Sequence, residues 1–278
     1  MGSPSETLRA HGLHPKRSFG QNFLTDPRTA ARIAEAATTP EGGSVLEIGP
    51  GLGALTKPLL SRASKVIAIE RDRDLFAILQ GDLAEPVASG QLVLIEADAM
   101  QIDWPSALAE APRPRVIAGN LPYAITGLLL ERVTHASSAI DRAVFMVQAE
   151  VADRLLASPG SRAYGALTVF IQAAFDVSRL LTARAGAFYP RPEVDSAVVV
   201  LTPCSPPRAE ETAAFRAAVR AAFGMRRKTL RNAWRGLYGW SREELEANAA
   251  SAGISLEARG ETLAVEDFAR IAALATRA

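Results

Sequence analysis

Short apolar runs and stretches of helical spacing take turns along the first part of the chain. Runs over 44–48, 65–70, 91–96, 115–119 and 142–147 read as strands, and 54–62, 72–83 and 124–133 carry apolar residues at helical spacing. Short apolar strands alternating with helices predict an α/β fold with a doubly wound, mostly parallel sheet. A helical stretch over 164–174 follows. Two late strands, over 175–182 and 196–202, flank Phe188-Tyr189-Pro190-Arg191-Pro192 and predict an antiparallel hairpin at the sheet edge.

Pro203-Cys204-Ser205-Pro206-Pro207 breaks this pattern. Beyond it the chain turns to alanine, arginine and glutamate at helical spacing. Ser241 with Glu244 fits a capping box, and Leu263, Phe268, Ile271 and Leu274 form an apolar stripe. The division expected is an arm over 1–25, an α/β domain over 26–203 and a small all-helical domain over 208–278.

With 278 residues, 48% of them hydrophobic, the chain can bury a substantial core. Charges interrupt every apolar run before the roughly 20 residues a membrane helix needs, so no membrane association is expected. The first residues lack the apolar stretch of a secretion signal. A single cysteine, Cys204, and three scattered histidines, His11, His14 and His135, suggest a reducing cytoplasm and no metal. No long exposed apolar stripe demands a partner, so a monomer is expected.

The net charge of +1 is uninformative, but its distribution is not. Arg208, Arg216, Arg220, Arg226, Arg227, Lys228, Arg231 and Arg235 face only Glu210 and Glu211, and the arm adds Arg9, Lys16, Arg17, Arg28 and Arg32. Such clusters attract polyanions, with Arg226, Arg227, Lys228 and Arg231 as candidate RNA contacts; a solvated helix face is the plainer alternative.

Gly49, Gly51 and Gly53 lie between a strand and a helix, where a ligand can approach the backbone. Their spacing is G-x-G-x-G after Glu47, with alanine at 54, unlike the G-x-G-x-x-G of dinucleotide sites. It looks like the S-adenosylmethionine loop of class I (Rossmann-like) methyltransferases. Glu70, ending the second strand, can accept from both ribose hydroxyls. Asp98, after the third strand, is suited to the adenine amine of that cofactor, or to a plain turn.

Asn120-Leu121-Pro122-Tyr123 follows the fourth strand, at the carboxyl edge where such sheets bind ligands. An adenine amine is a poor nucleophile because its lone pair is conjugated with the ring. Acceptors from the Asn120 side chain and the Leu121 carbonyl would draw that nitrogen toward a tetrahedral shape. Pro122 would fix the backbone, and Tyr123 would stack on a flipped base. An ordinary proline turn is the alternative.

These motifs, with Lys16 to Leu24, Ala163-Tyr164-Gly165, Phe188 to Val198 and Arg227 to Asn232, resemble the KsgA/RsmA family of rRNA adenine dimethyltransferases, related to the Erm resistance methyltransferases. The resemblance spans nearly the whole chain. It implies S-adenosylmethionine as methyl donor, without a metal. It also implies two adjacent adenosines in the terminal hairpin loop of 16S rRNA, within a maturing small ribosomal subunit, as substrate. It further implies that Gln21, Asn22 and Leu24 fold over the cofactor with Gly49, Gly51, Glu70, Asp98 and Asn120, and that Phe188 faces Tyr123 across the target base; a packed core aromatic is the alternative for Phe188. Phe19 stands where many relatives have leucine, and Leu121 with Tyr123 favours the ribosome-biogenesis branch over the 23S rRNA methylation of Erm.

Other readings are methylation of a protein glutamine, an assembly factor with methylation secondary, and a nicotinamide oxidoreductase. The basic helical region disfavours the first and the glycine spacing the last. A role in ribosome assembly is compatible with the same basic surface.

Overall fold

The computed structural model describes residues 3–275, apart from the side chain of Arg17. Residues 1–2 of the expected arm, 276–278 of the expected helical domain and the Arg17 charge lie outside the described residues.

Nine strands form among the described residues: β1 Phe23–Leu24, β2 Ser44–Ile48, β3 Lys65–Glu70, β4 Leu92–Glu96, β5 Arg115–Asn120, β6 Arg142–Gln148, β7 Phe175–Ala183, β8 Phe188–Tyr189 and β9 Ser196–Pro203. Seven make one sheet in the order β4-β3-β2-β5-β6-β9-β7. The pairs from β4 to β6 are parallel, and β9 runs antiparallel to β6. The inner strands β2, β3, β5 and β6 are buried along nearly their whole length, which explains their unbroken apolar runs. Edge strand β4 buries only Leu92 fully and exposes Val93 and Glu96.

The expected fold is therefore present, with the two late strands as neighbours at the antiparallel edge. Strand order reverses between β2 and β5, whose carboxyl ends lie side by side through the register Leu46–Ile117 and Glu47–Ala118. Glu70 pairs with Glu96 one strand further out, so the ends of β2 to β5 converge where doubly wound sheets bind ligands.

The chain divides into two units, residues 1–152 with 178–202, and 153–177 with 203–278. This corrects the expected boundary: residues 153–177 belong with the helical unit. Tyr164, Val169, Phe170 and Ala173 share a core with Phe215, Trp234, Phe268 and Ile271, so their apolar faces are buried against helices that come later in the chain. Edge-to-face contacts of Phe170 with Phe215 and Trp234 with Phe268 add directional packing there. The Ser241–Glu244 capping box forms, and helix Val265–Ala275 buries Val265, Phe268, Ile271 and Ala272.

In the first unit the arm is ordered around helix Pro4–Ala10, capped by Ser3 and Glu6. Its Leu8 packs with Phe23, Leu75 and Ile78. Among the described residues no helix is long and apolar enough to cross a membrane.

Candidate active site

The glycine loop leaves β2 with Gly49 at φ 68° and Gly51 at φ 60°, a region that L side chains rarely adopt. A Cβ on Gly49 would meet no atom within 4 Å, so this Cα faces open space. One on Gly51 would press on the Phe23 ring at 3.3 Å. The Gly51 amide donates to Glu70 Oε2 at 3.0 Å, and the Asp72 amide donates to Glu70 Oε1 at 2.7 Å. Glu70 thus braces the loop, and each of its oxygens keeps one lone pair for a ligand. Burial pushes the Glu70 carboxyl up, while these two amides act against it.

Glu47 is buried beside them, with no hydrogen-bond partner for its Oε2, and neither has Thr56 Oγ1. Burial, with Glu70 nearby, pushes the Glu47 carboxyl up to about 8. Asp98 is in part the turn residue considered above: Oδ1 accepts from the Met100 amide at 2.9 Å, and Oδ2 lies 3.3 Å from Arg71.

The arm is fastened over this loop by contacts that no motif announced. Lys16 Nζ lies 2.6 Å from both Asp72 and Asp74, at the start of helix Arg73–Asp82. Gln21 accepts from the Lys16 amide and donates to Asp72, each at 2.7 Å. The Phe19 ring carries Lys16 and Arg71 within 5.6 and 5.2 Å of its centroid. Asp72 was legible only as a helix start, and its second task depends on where the arm returns.

Asn120 ends β5. Its Nδ2 donates to the Asn22 carbonyl at 2.8 Å, which leaves Oδ1 as the free acceptor. The Leu121 amide donates to Met146 at 3.0 Å. The Pro122 carbonyl is taken by the Ile125 amide and the Thr126 hydroxyl, whereas the Leu121 carbonyl has no partner among the described residues. Two acceptors one residue apart are thus left unused. The Tyr123 hydroxyl pairs with Ser196 Oγ at 2.8 Å; burial pushes the phenol up, with Ser196 acting against it.

One cavity of about 660 Å³ is lined by Gln21, Asn22, Leu24, Gly49, Gly51, Glu70, Asp98 and Asn120 to Tyr123 together. Phe188 is not among its lining residues. It is 4% exposed, paired with Leu24 across the β1–β8 ribbon and packed with Ala30 and Ile33, which themselves line the cavity. The exposed aromatic of that ribbon is Tyr189.

The basic residues divide. Arg226 pairs with Glu261 at 2.9 Å, and Arg231 pairs with Glu246 and Glu257 at 2.5 and 2.8 Å. Arg208 pairs with Asp176 and Arg216 with Glu211. Arg227 and Lys228 are exposed, without an ion pair among the described residues. No group of His, Cys, Asp and Glu among the described residues is arranged to hold a metal.

The ribosomal RNA adenine dimethylase profile matches residues 12–277. Ribosomal RNA small subunit methyltransferase A of Moorella thermoacetica is 43% identical over 284 residues, covering 98% of this chain and 97% of that one. Its counterpart in Geobacter sulfurreducens is 39% identical over 268 residues, covering 95% and 96%. Among solved structures, a dimethyladenosine transferase from Plasmodium falciparum aligns with a TM-score of 0.73 at 25% identity, over 90% of this chain and 95% of that one. The 23S rRNA methyltransferase ErmE aligns at 0.65 and 29% identity, over 91% and 98%. A glycine loop braced by a strand-end carboxylate, paired acceptors beside a tyrosine in the same cavity, and a profile match over nearly the whole length agree: the chain belongs to the ribosomal RNA adenine dimethylase family.

Proposed function

We propose that this protein transfers methyl groups from S-adenosylmethionine to the exocyclic amines of two adjacent adenosines in small-subunit rRNA, in the 3′-terminal hairpin loop of a maturing subunit. The observation that carries the reading is the single cavity shared by the glycine loop and the Asn120–Tyr123 turn. The residues fit the cofactor: open space at Gly49 for its aminoacyl part, Glu70 lone pairs for the ribose, and Asp98 beside the base.

When bound, S-adenosylmethionine supplies a methyl group on a sulfonium, a good leaving group that needs no metal. Asn120 Oδ1 and the Leu121 carbonyl hold the two amine hydrogens, which localises the nitrogen lone pair and aims it. Held in this way, the amine would receive the methyl group that the bound donor supplies, and the methylated nitrogen would then release a proton. Tyr123 offers a stacking face to replace the stack the base has left. Positioning can supply much of the rate.

Full-length relatives at 43% and 39% identity that are small-subunit methyltransferases support small-subunit over 23S rRNA. Arg227 and Lys228 suit a phosphate backbone. The test is nucleoside mass spectrometry of undermethylated small subunits incubated with the protein and S-adenosylmethionine. Dimethyladenosine mapped to the terminal loop is the expected result; unmodified subunits with cofactor bound would overturn the proposal.

A further inference from the structure

Ser196 is the first residue of β9 and is wholly buried. It is held from several sides. Its backbone pairs in register with Gln148 of β6. The preceding Asp195 accepts from the Ala185 amide through its side chain at 2.8 Å and from the Ala149 amide through its carbonyl at 2.9 Å. Its Oγ is therefore a fixed point in the frame of the sheet.

Tyr123 opens a short 3-10 turn, Tyr123–Ile125, ahead of helix Thr126–His135, and two side-chain torsions separate its ring from that backbone. A hydrogen bond at the far end of the ring restrains both torsions, because the hydroxyl must stay within about 3 Å of its partner. Fold stability gives little reason for the pair. A buried hydroxyl–hydroxyl contact contributes modestly, and a phenylalanine–alanine pair of similar shape is nearly neutral by comparison. The pair does define where the ring face stands relative to Asn120 and Leu121.

We propose that Ser196 is a positioning residue for methyl transfer: by holding the Tyr123 hydroxyl it fixes the ring on which the target adenine stacks, and so aims the amine at the methyl donor. This rests on the reading of Tyr123 as the stacking platform. The sensitivity of near-attack geometry to small displacements makes an untethered ring slow the chemistry rather than weaken cofactor binding.

The test compares Tyr123→Phe, Ser196→Ala, the double variant and Tyr123→Ala. It follows single-turnover rate, cofactor dissociation constant, thermal midpoint and the fluorescence of an rRNA fragment with 2-aminopurine at the target. Each of the first three variants is expected to slow the transfer by about tenfold and to weaken 2-aminopurine quenching, with cofactor affinity unchanged. Tyr123→Phe leaves the buried Ser196 hydroxyl unpaired and lowers the midpoint, and Ser196→Ala leaves the part-buried Tyr123 hydroxyl unpaired and lowers it less; the double variant leaves neither, so its midpoint recovers while its rate stays low. A rate that recovers with the midpoint, or single variants within twofold of wild type, overturns the role of Ser196. If Tyr123→Ala itself leaves rate and quenching unchanged, the stacking reading fails instead.

Discussion

The Asn120 side-chain amide donates to the main-chain carbonyl of Asn22 at 2.8 Å, joining positions 98 residues apart. This bond settles which end of the carboxamide faces the cavity. It also ties the Asn120–Tyr123 turn to the arm, which Lys16 and Gln21 fasten to Asp72. Glu70 accepts from the Asp72 and Gly51 amides, so glycine loop, arm and Asn120–Tyr123 turn share one hydrogen-bonded frame.

Asn120→Ala removes one of the two acceptors proposed for the amine. The transfer rate is expected to fall by about 10²–10³, as for loss of one preorganised hydrogen-bonding group. Rapid-quench single-turnover kinetics measures the rate, and a filter-binding assay is expected to find most of the RNA affinity retained. A full rate in this variant would remove the clamp from the mechanism.

Gly51→Ala forces a side chain into a left-handed backbone against Phe23. The conformation alone costs about 1–2 kcal/mol. Relief would shift the amide that braces Glu70, so cofactor affinity measured by calorimetry is expected to drop about tenfold or more. Unchanged affinity would mean that the loop does not contact the cofactor.

Glu47 sets a pH dependence. Its carboxyl, ordinarily near 4.5, stands at about 8 in the folded protein, with Thr56 and Glu70 the groups beside it. Between these values the folded state binds a proton that the unfolded state has released, so folding stability declines as pH rises through that window. The slope approaches about 1.4 kcal/mol per pH unit. Glu47→Gln is expected to flatten it, and cofactor-free denaturant titrations from pH 5 to 8 measure the difference. Equal slopes in the two proteins would contradict the assignment.

Arg227 and Lys228 are exposed, whereas Arg231 already faces two carboxylates. Replacing Arg227 and Lys228 by alanine is expected to reduce the slope of log affinity against log salt by about 2, and Arg231→Ala to change it much less. Fluorescence anisotropy with an rRNA fragment at several salt concentrations measures this. A larger change from Arg231→Ala would reverse the ranking.

Much of the first unit was legible before the structure. β2 and β3 lie over 44–48 and 65–70, as the apolar runs predict, because strands buried on both faces leave an unbroken local pattern. Gly49, Gly51, Glu70 and Asn120 all line the cavity for a related reason: each ends or follows a strand, and parallel topology brings strand ends together.

What the sequence could not specify were pairings between segments that periodicity does not link. Two-residue strands such as β1 and β8 have no pattern of their own, so the burial of Phe188 against Leu24 emerges only when the arm folds back. A run of arginines shows its charge but not its partners, and Glu246 and Glu257 reach Arg231 through the packing of the helical unit. Residues 153–177 read locally as a continuation of the α/β alternation, yet their apolar face matches helices from the end of the chain. Local pattern and motif spacing thus determined the sheet and the kind of chemistry, since both depend on neighbours in sequence. Tertiary structure alone decided which side chains are free to act, because burial and hydrogen-bond partners depend on neighbours in space.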